Sequence, residues 1–199
     1  MNWGLIRHGS TDWNMLGRLQ GQNDIQLNEE GRRQARLLGR HLRTEGWEVL
    51  VSSDLKRAHE TALIVAEELG IREVIVDTRL RERTHGRLDG TTLEERIALF
   101  GEHWKSLDHG VESDERLFAR SAACLTELAE QYGKTKLLLV SHGATLGVLL
   151  EGLLEQMPSG LLGNTAFSRL SKDDTGQWIC PLYNCTAHLA ENAGRSSGL

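Results

Sequence analysis

Two stretches of this 199-residue sequence end an apolar run at a histidine and follow it at once with a glycine. They are Leu5-Ile6-Arg7-His8-Gly9-Ser10-Thr11 and, far downstream, Leu139-Val140-Ser141-His142-Gly143-Ala144-Thr145. Neutral imidazole is a good nucleophile near neutral pH, because its unperturbed pKa is about 6.5. Its weakness is that a phosphate monoester dianion repels an attacking electron pair unless cations offset the charge. Guanidinium meets that need: it stays ionised and grips two phosphate oxygens in a planar fork. Arg7 stands beside the first histidine. The bland reading, in which Arg7 pairs with a surface acid at a strand end, loses weight because His142 occupies an equivalent strand end.

Two further positions can complete such chemistry. In Ser52-Ser53-Asp54-Leu55-Lys56-Arg57-Ala58 a basic pair falls at the start of a helix, whose free N–H groups and dipole already favour phosphate. Lys56 and Arg57 point about 100° apart on that helix, so one of the two faces inward, and spacing alone does not choose between them. A leaving alkoxide also needs a proton. Glu82, in Leu80-Arg81-Glu82-Arg83-Thr84-His85-Gly86, is the carboxyl proposed to supply it, since phosphate held beside it favours the protonated form. On residue type alone Glu82 is one of many acids, and a salt bridge to Arg81 or Arg83 is the better explanation of it.

The elements that must position these groups alternate. Residues 3–7 read as a buried strand, followed by a polar, glycine-containing loop over 12–24. Asn28 caps a helix over about 29–45, with Ala35, Leu38, Gly39 and Leu42 on one face and Gly46 as its stop. A second strand over 48–52 leads into Ser52-Ser53-Asp54, good cap residues for the next helix. That helix carries the stripe Ala58, Ala62, Val65, Ala66 and Leu69, with Gly70 at its C-cap. Residues 73–77 are a third strand. This β-α-β-α-β order argues for a parallel sheet covered by helices, whose carboxyl strand ends are where ligands bind.

The segment 78–113 breaks the rhythm. It is rich in charge and glycine, with one short helix from Leu93 opened by a Thr92/Glu95 capping box; such a break often borders a site. A long helix with Leu117, Leu125, Leu128, Ala129 and Tyr132 on one side follows, then the most apolar strand, 136–141, expected to be central. After His142-Gly143 comes a helix to about Glu155. Residues 166–171 and 177–183 are joined by Asp173-Asp174-Thr175-Gly176 and pair as an antiparallel hairpin at an edge. The glycine- and serine-rich stretch 192–199 is expected to be loose.

The bulk numbers fit an ordinary globular chain large enough to bury a core, with 39% hydrophobic and 26% charged residues. The formal net charge of −5 argues against a general nucleic-acid surface, so local arginines must make any basic pocket. Cys124, Cys180 and Cys185 form no C-x-x-C pair and no zinc spacing, and read as two small core residues and one surface thiol. No apolar run approaches the roughly 18 residues of a membrane span, and no signal peptide precedes the first strand. Together with reduced cysteines this points to the cytoplasm.

These residues resemble the histidine phosphatase superfamily, in its phosphoglycerate mutase-like branch, over nearly the whole chain. The signature R-H-G-x-T is Arg7 to Thr11, followed by Asp12-Trp13-Asn14. Family-like loop and helix positions continue in Gln20-Gly21, Asp24, Leu27, Gly31 and Gln34-Ala35. The S-x-L-x-R-A-x-x-T-A element is Ser53 to Ala62, the L-x-E-x-x-x-G-x-x-x-G element is Leu80 to Gly90, and V-[ST]-H-G is Val140 to Gly143. The resemblance implies a three-layer α/β/α sandwich with a mostly parallel sheet and an antiparallel edge strand, formed by one domain over 1–199. It implies a metal-independent phosphomonoesterase acting on small phosphorylated metabolites. In it His8 becomes phosphohistidine, Arg7, Arg57 and protonated His142 hold the phosphoryl oxygens, and Asn14 orients His8 or the phosphate. Gln20, Gly21 and Gly143 border the phosphate and substrate, while Glu82 protonates the leaving oxygen and then activates water. No cofactor and no metal is implied. Monomer and homodimer are equally compatible.

The chain departs from the family pattern on the leaving-group side. His85 stands where an aromatic residue is usual, Leu88-Asp89 where tryptophan often precedes the second acid, and Gly110-Val111-Glu112-Ser113 only loosely matches a common G-E-S triplet. Rival readings are a cofactor-dependent phosphoglycerate mutase, which tends to be longer, a phosphate-binding module, and a serine hydrolase using Ser141 with Asp173 and His188. The last meets Leu139 where a nucleophile elbow needs glycine. Gly133-Lys134-Thr135 has Leu128 at the first glycine position of a P-loop, which excludes one, and His103 and His109 lack ligand spacing.

Overall fold

Strand residues alternate between two apolar faces, and both faces are covered. Leu5, Val51, Leu137 and Leu139 pack on one side with Leu125 and Leu149, while Ile6, Leu50, Leu138 and Val140 pack on the other with Leu38 and Val65. The period of two sends successive side chains to opposite layers. This computed structural model describes residues 1–156 and 160–190; the expectation for 192–199 lies outside the described residues.

The strands are β1 (Asn2–Arg7), β2 (Val49–Ser52), β3 (Val74–Val76), β4 (Leu137–Ser141), β5 (Phe167–Lys172) and β6 (Trp178–Cys185). They form one sheet in the order β3-β2-β4-β1-β5-β6. The first four are parallel, β5 runs antiparallel to β1, and β6 pairs with β5 as the expected edge hairpin. The apolar β4 is interior. Helices α2 (Glu29–Leu42) and α3 (Lys56–Leu69) cover one face, and α5 (Asp114–Tyr132) and α6 (Gly143–Leu153) the other. Leu139 and Leu149 are fully buried, and truncating such a residue to alanine costs about 2–5 kcal/mol.

Local chemistry sets the ends of these elements. The Asn28 side chain accepts from Gly31 N at 2.9 Å and caps α2, a contact worth about 1 kcal/mol. Gly31 is required there because a Cβ would lie 2.1 Å from Ser10 O. The absence of a side chain lets α2 close against the loop after β1. In α4 (Leu93–Phe100) the capping box of Thr92 and Glu95 is present, and Gly70 ends α3 in the left-handed conformation.

Three expectations are corrected. The loop over 12–24 contains a one-turn helix, α1 (Asp12–Met15), closed by a capping box between Thr11 and Asn14. The helix after β2 starts at Lys56 with Leu55 at its N-cap and has no side-chain cap. Ser53 and Asp54 are engaged elsewhere: Ser53 with His142, and Asp54 with Arg81 at 2.8 Å. A further short helix, α7 (Ala187–Ala190), follows β6 and carries too few residues to show a period. Of the cysteines, only Cys124 is buried; Cys180 and Cys185 are intermediate.

Candidate active site

Strands β1 and β4 are hydrogen-bonded neighbours in a register that sets Arg7 opposite Ser141. The residues that follow them therefore emerge side by side: His8 N donates to Ser141 O at 3.0 Å, and the imidazole centroids of His8 and His142 lie 5.2 Å apart. A cavity of about 510 Å³ opens over this end of the sheet, with Arg7, His8, Asn14, Gln20, Gly21, Arg57, Glu82 and Gly143 in its wall. His142 is fully buried and is not part of that wall.

The tautomer of His8 follows from one bond. Its Nδ1 lies 2.7 Å from Gly9 O; a carbonyl only accepts, so Nδ1 carries the proton and Nε2 keeps its lone pair. Burial, then Arg57 and Arg7, hold the His8 pKa well below the usual value against the pull of Gly9 O. The imidazole is therefore neutral at physiological pH. The surrounding loop is fixed from three sides. Gly9 N donates to Thr61 Oγ1 at 3.0 Å, Ser10 N to the Gln34 side chain at 3.0 Å, and Asn164 Nδ2 to His8 O at 3.1 Å.

Arg57 faces inward and is fully buried, whereas Lys56 turns out to Asp24. The guanidinium is held by two carbonyls, Nη1 on Asn23 O at 2.8 Å and Nη2 on Gly21 O at 2.7 Å. Burial pushes its pKa down to about 10, with Glu82 and Asp24 opposing, so it remains a cation at neutral pH. Arg7 donates Nη1 to Leu162 O, and burial also lowers its pKa, with Glu82 raising it. The Nε of each arginine is buried without a partner. An unpaired buried donor costs about 1–3 kcal/mol, which makes these atoms ready-made sites for an anion.

His142 Nε2 meets Ser53 Oγ at 2.9 Å while its Nδ1 is buried and unpaired. Burial first, then Arg57, His8 and Arg7, push its pKa well below the usual range. This direction favours the neutral ring. A neutral ring still offers an N–H: the Ser53 hydroxyl can donate to Nε2, which places the proton on Nδ1.

Glu82 sits at the amino end of α6. Its Oε1 accepts from Arg83 N at 2.9 Å, Thr145 N at 3.1 Å and Thr145 Oγ1 at 3.1 Å, and Oε2 accepts from Ala144 N at 3.3 Å. Its carbonyl is held by Gln22 and by Arg120, both at 3.1 Å. The free N–H groups of a helix start thus orient a carboxylate, and Oε2, with one long bond, is the oxygen left to exchange a proton. Asn14 gives its side-chain oxygen to Thr11 and Asn164, so its amide N–H₂ is the group it can offer to the cavity. Asn14 and His8 line the same cavity, joined through Asn164, which donates to both Asn14 Oδ1 and His8 O.

The serine hydrolase reading is overturned. Ser141 is fully buried and donates to Leu80 O at 2.7 Å, while His188 Nε2 meets Thr165 Oγ1 and Asp173 caps its own turn. The residues that sequence reasoning missed are supports: Thr61, Ser53, Thr145 and Asn164 touch the chemical groups from behind. Thr61 carried a signal, since it lies one helical turn beyond Arg57 and returns its hydroxyl to Arg57 O at 2.6 Å.

A family described as the histidine phosphatase superfamily (branch 1) matches residues 4–186. A Bacillus subtilis protein described as the uncharacterized phosphatase PhoE is 35% identical over 189 residues, covering 94% of this chain and 95% of the relative. A probable phosphoglycerate mutase GpmB of Yersinia enterocolitica is 35% identical over 202 residues, with 93% of each covered. Among solved structures, a mycobacterial glucosyl-3-phosphoglycerate phosphatase superposes with a TM-score of 0.83 at 32% identity, over 92% of this chain and 99% of the other. Among the described residues no helix is long and apolar enough to cross a membrane.

Proposed function

The chain belongs to branch 1 of the histidine phosphatase superfamily, and on that premise we propose that it hydrolyses small phosphomonoesters through a phosphohistidine on His8. The single observation that carries the reading is the neutral His8 ring. With its Nδ1 proton committed to Gly9 O, the unprotonated Nε2 stands in the same cavity wall as two guanidiniums.

The steps follow from the groups in place. Arg7 and Arg57 take the phosphoryl oxygens, and Asn14 and His142 Nδ1–H add neutral donors. Donors fixed before the reaction stabilise charge without reorganising. Burial and then the positive field hold His142 neutral, and bound phosphate offsets that field, which draws a second proton onto the ring. Nε2 of His8 then forms a bond to phosphorus as the P–O bond to the alcohol breaks. The departing oxygen takes the proton from Glu82. In the second half, the Glu82 carboxylate removes a proton from water, the hydroxide attacks phosphorus, and the P–N bond returns its electron pair to His8. Gly21 lets its loop close on Asp89, since a Cβ there would lie 1.9 Å from Asp89 Oδ1, and a Cβ on Gly143 would lie 3.5 Å from Arg7 Nε.

The reading is tested with His8→Ala and p-nitrophenyl phosphate. Loss of turnover in a variant that keeps the native unfolding transition is the expected result; wild-type turnover would reject the assignment.

A further inference from the structure

The part of the cavity away from His8 decides which alcohol fits. Two of its cations are already neutralised. Arg18 is held in a bidentate pair by Glu95, both bonds at 2.7 Å, and Arg83 is paired with Asp114. His85 is fixed by Asp89, whose Oδ1 accepts from His85 N at 3.0 Å and lies 3.2 Å from His85 Nδ1. With Nδ1 committed to Asp89, Nε2 is the ring nitrogen left for a ligand in the cavity that His85 lines. Glu151, also in the wall, has no ion pair among the described residues. The carboxylates of Asp89 and Glu151 leave this half of the cavity with an excess of negative charge. The remaining wall is apolar: Val148 lines it, and Leu161 is 94% exposed at its rim.

We propose that the site takes phosphomonoesters whose alcohol carries no second anionic group, with a hydroxyl bonded to His85 Nε2 and an apolar face against Val148 and Leu161. The inference rests on the phosphatase reading and deepens it. Among the described residues each guanidinium that a carboxylate on the leaving group would meet here already holds a carboxylate, Arg83 keeping only its buried Nε without a partner, so the newcomer must displace Asp114 from Arg83 or Glu95 from Arg18 to gain a full fork while approaching Glu151. Opposite charges attract through a few ångströms of low-dielectric cleft and like charges repel equally. The same shortage leaves a phosphoglycerate mutase no place to hold its second anion.

The test compares kcat/KM for glycerol 2-phosphate and 2-phosphoglycerate, which differ by one carboxylate at an equivalent leaving oxygen. Wild type is expected to favour glycerol 2-phosphate by about tenfold or more, and Asp114→Asn, which releases Arg83, to shift the ratio toward the carboxylate. His85→Phe is expected to raise KM for glycerol 2-phosphate more than it lowers kcat. Equal or greater efficiency on 2-phosphoglycerate in wild type overturns the inference, whether or not the variants fold. p-Nitrophenyl phosphate run alongside separates the two levels: its turnover with 2-phosphoglycerate preferred rejects only the pocket assignment, and no turnover of any of the three rejects the phosphatase reading as well.

Discussion

The imidazoles of His8 and His142 lie 5.2 Å apart because the strands that carry them are adjacent and parallel, although 134 positions of sequence separate them. The pair is buried among cations, and that environment has consequences for stability, for protonation and for which atoms can react.

The first consequence concerns acid stability. Both rings have pKa values held well below 6.5 when folded and near 6.5 when unfolded. Above that pH both states are neutral and nothing changes. As pH falls below 6.5 the unfolded chain binds protons that the folded rings refuse, so stability is lost at up to about 1.4 kcal/mol per pH unit for each ring. Urea midpoints at pH 7.5 and 5.5 should therefore fall with acid more steeply in wild type than in His142→Gln. Parallel pH profiles would contradict the burial account.

Arg57 and Lys56 should separate sharply. Arg57→Lys keeps the charge but loses the fork that rests on Gly21 O and Asn23 O, and kcat/KM should drop by about 10²-fold or more. Lys56→Ala, which removes an exposed pair with Asp24, should leave kcat/KM within about twofold. Similar losses in both would mean that the inward guanidinium does not hold the phosphate.

Glu82→Gln should spare substrates that leave without help. Phenolates from p-nitrophenyl phosphate hardly need a proton, whereas aliphatic alkoxides do. The expected signature is a loss on glycerol 2-phosphate about 10²-fold or more beyond that on p-nitrophenyl phosphate. A uniform loss would remove Glu82 from the proton-transfer role.

Gly31→Ala should damage a site it does not touch. The added Cβ would press within 2.1 Å of Ser10 O, so α2 must move off the loop that carries His8. A destabilisation of about 1–3 kcal/mol is expected, together with a lower kcat, read from urea unfolding and steady-state kinetics on the same preparation. A neutral substitution would show that the loop tolerates displacement.

What was legible in the sequence follows from how each feature is encoded. Strands ending in His-Gly, the stripe of Ala58, Ala62 and Val65, and the Thr92/Glu95 box are local patterns, and each appears where its pattern predicts. Arg57 and Glu82 are different: spacing narrows them to a basic pair or one acid among many. The resemblance resolves them, and their orientation depends on tertiary partners such as Gly21 O and the amino end of α6. The burial of His142 beside two arginines, which lowers its pKa, is not visible in residue type. Ser53 was read as a cap and instead meets His142 across 89 positions. Short elements such as α1 and α7 carry too few residues for a period to show.

The claim on which the account rests is that the phosphoryl group passes through Nε2 of His8. It is tested most directly by quenching the enzyme during turnover of ³²P-labelled phosphoester and mapping the label. An acid-labile, base-stable phosphate on the peptide containing residue 8, absent from His8→Ala, is the predicted result. An acid-stable adduct on a serine or threonine, or wild-type turnover with label on no residue in a rapid-quench time course, would contradict it.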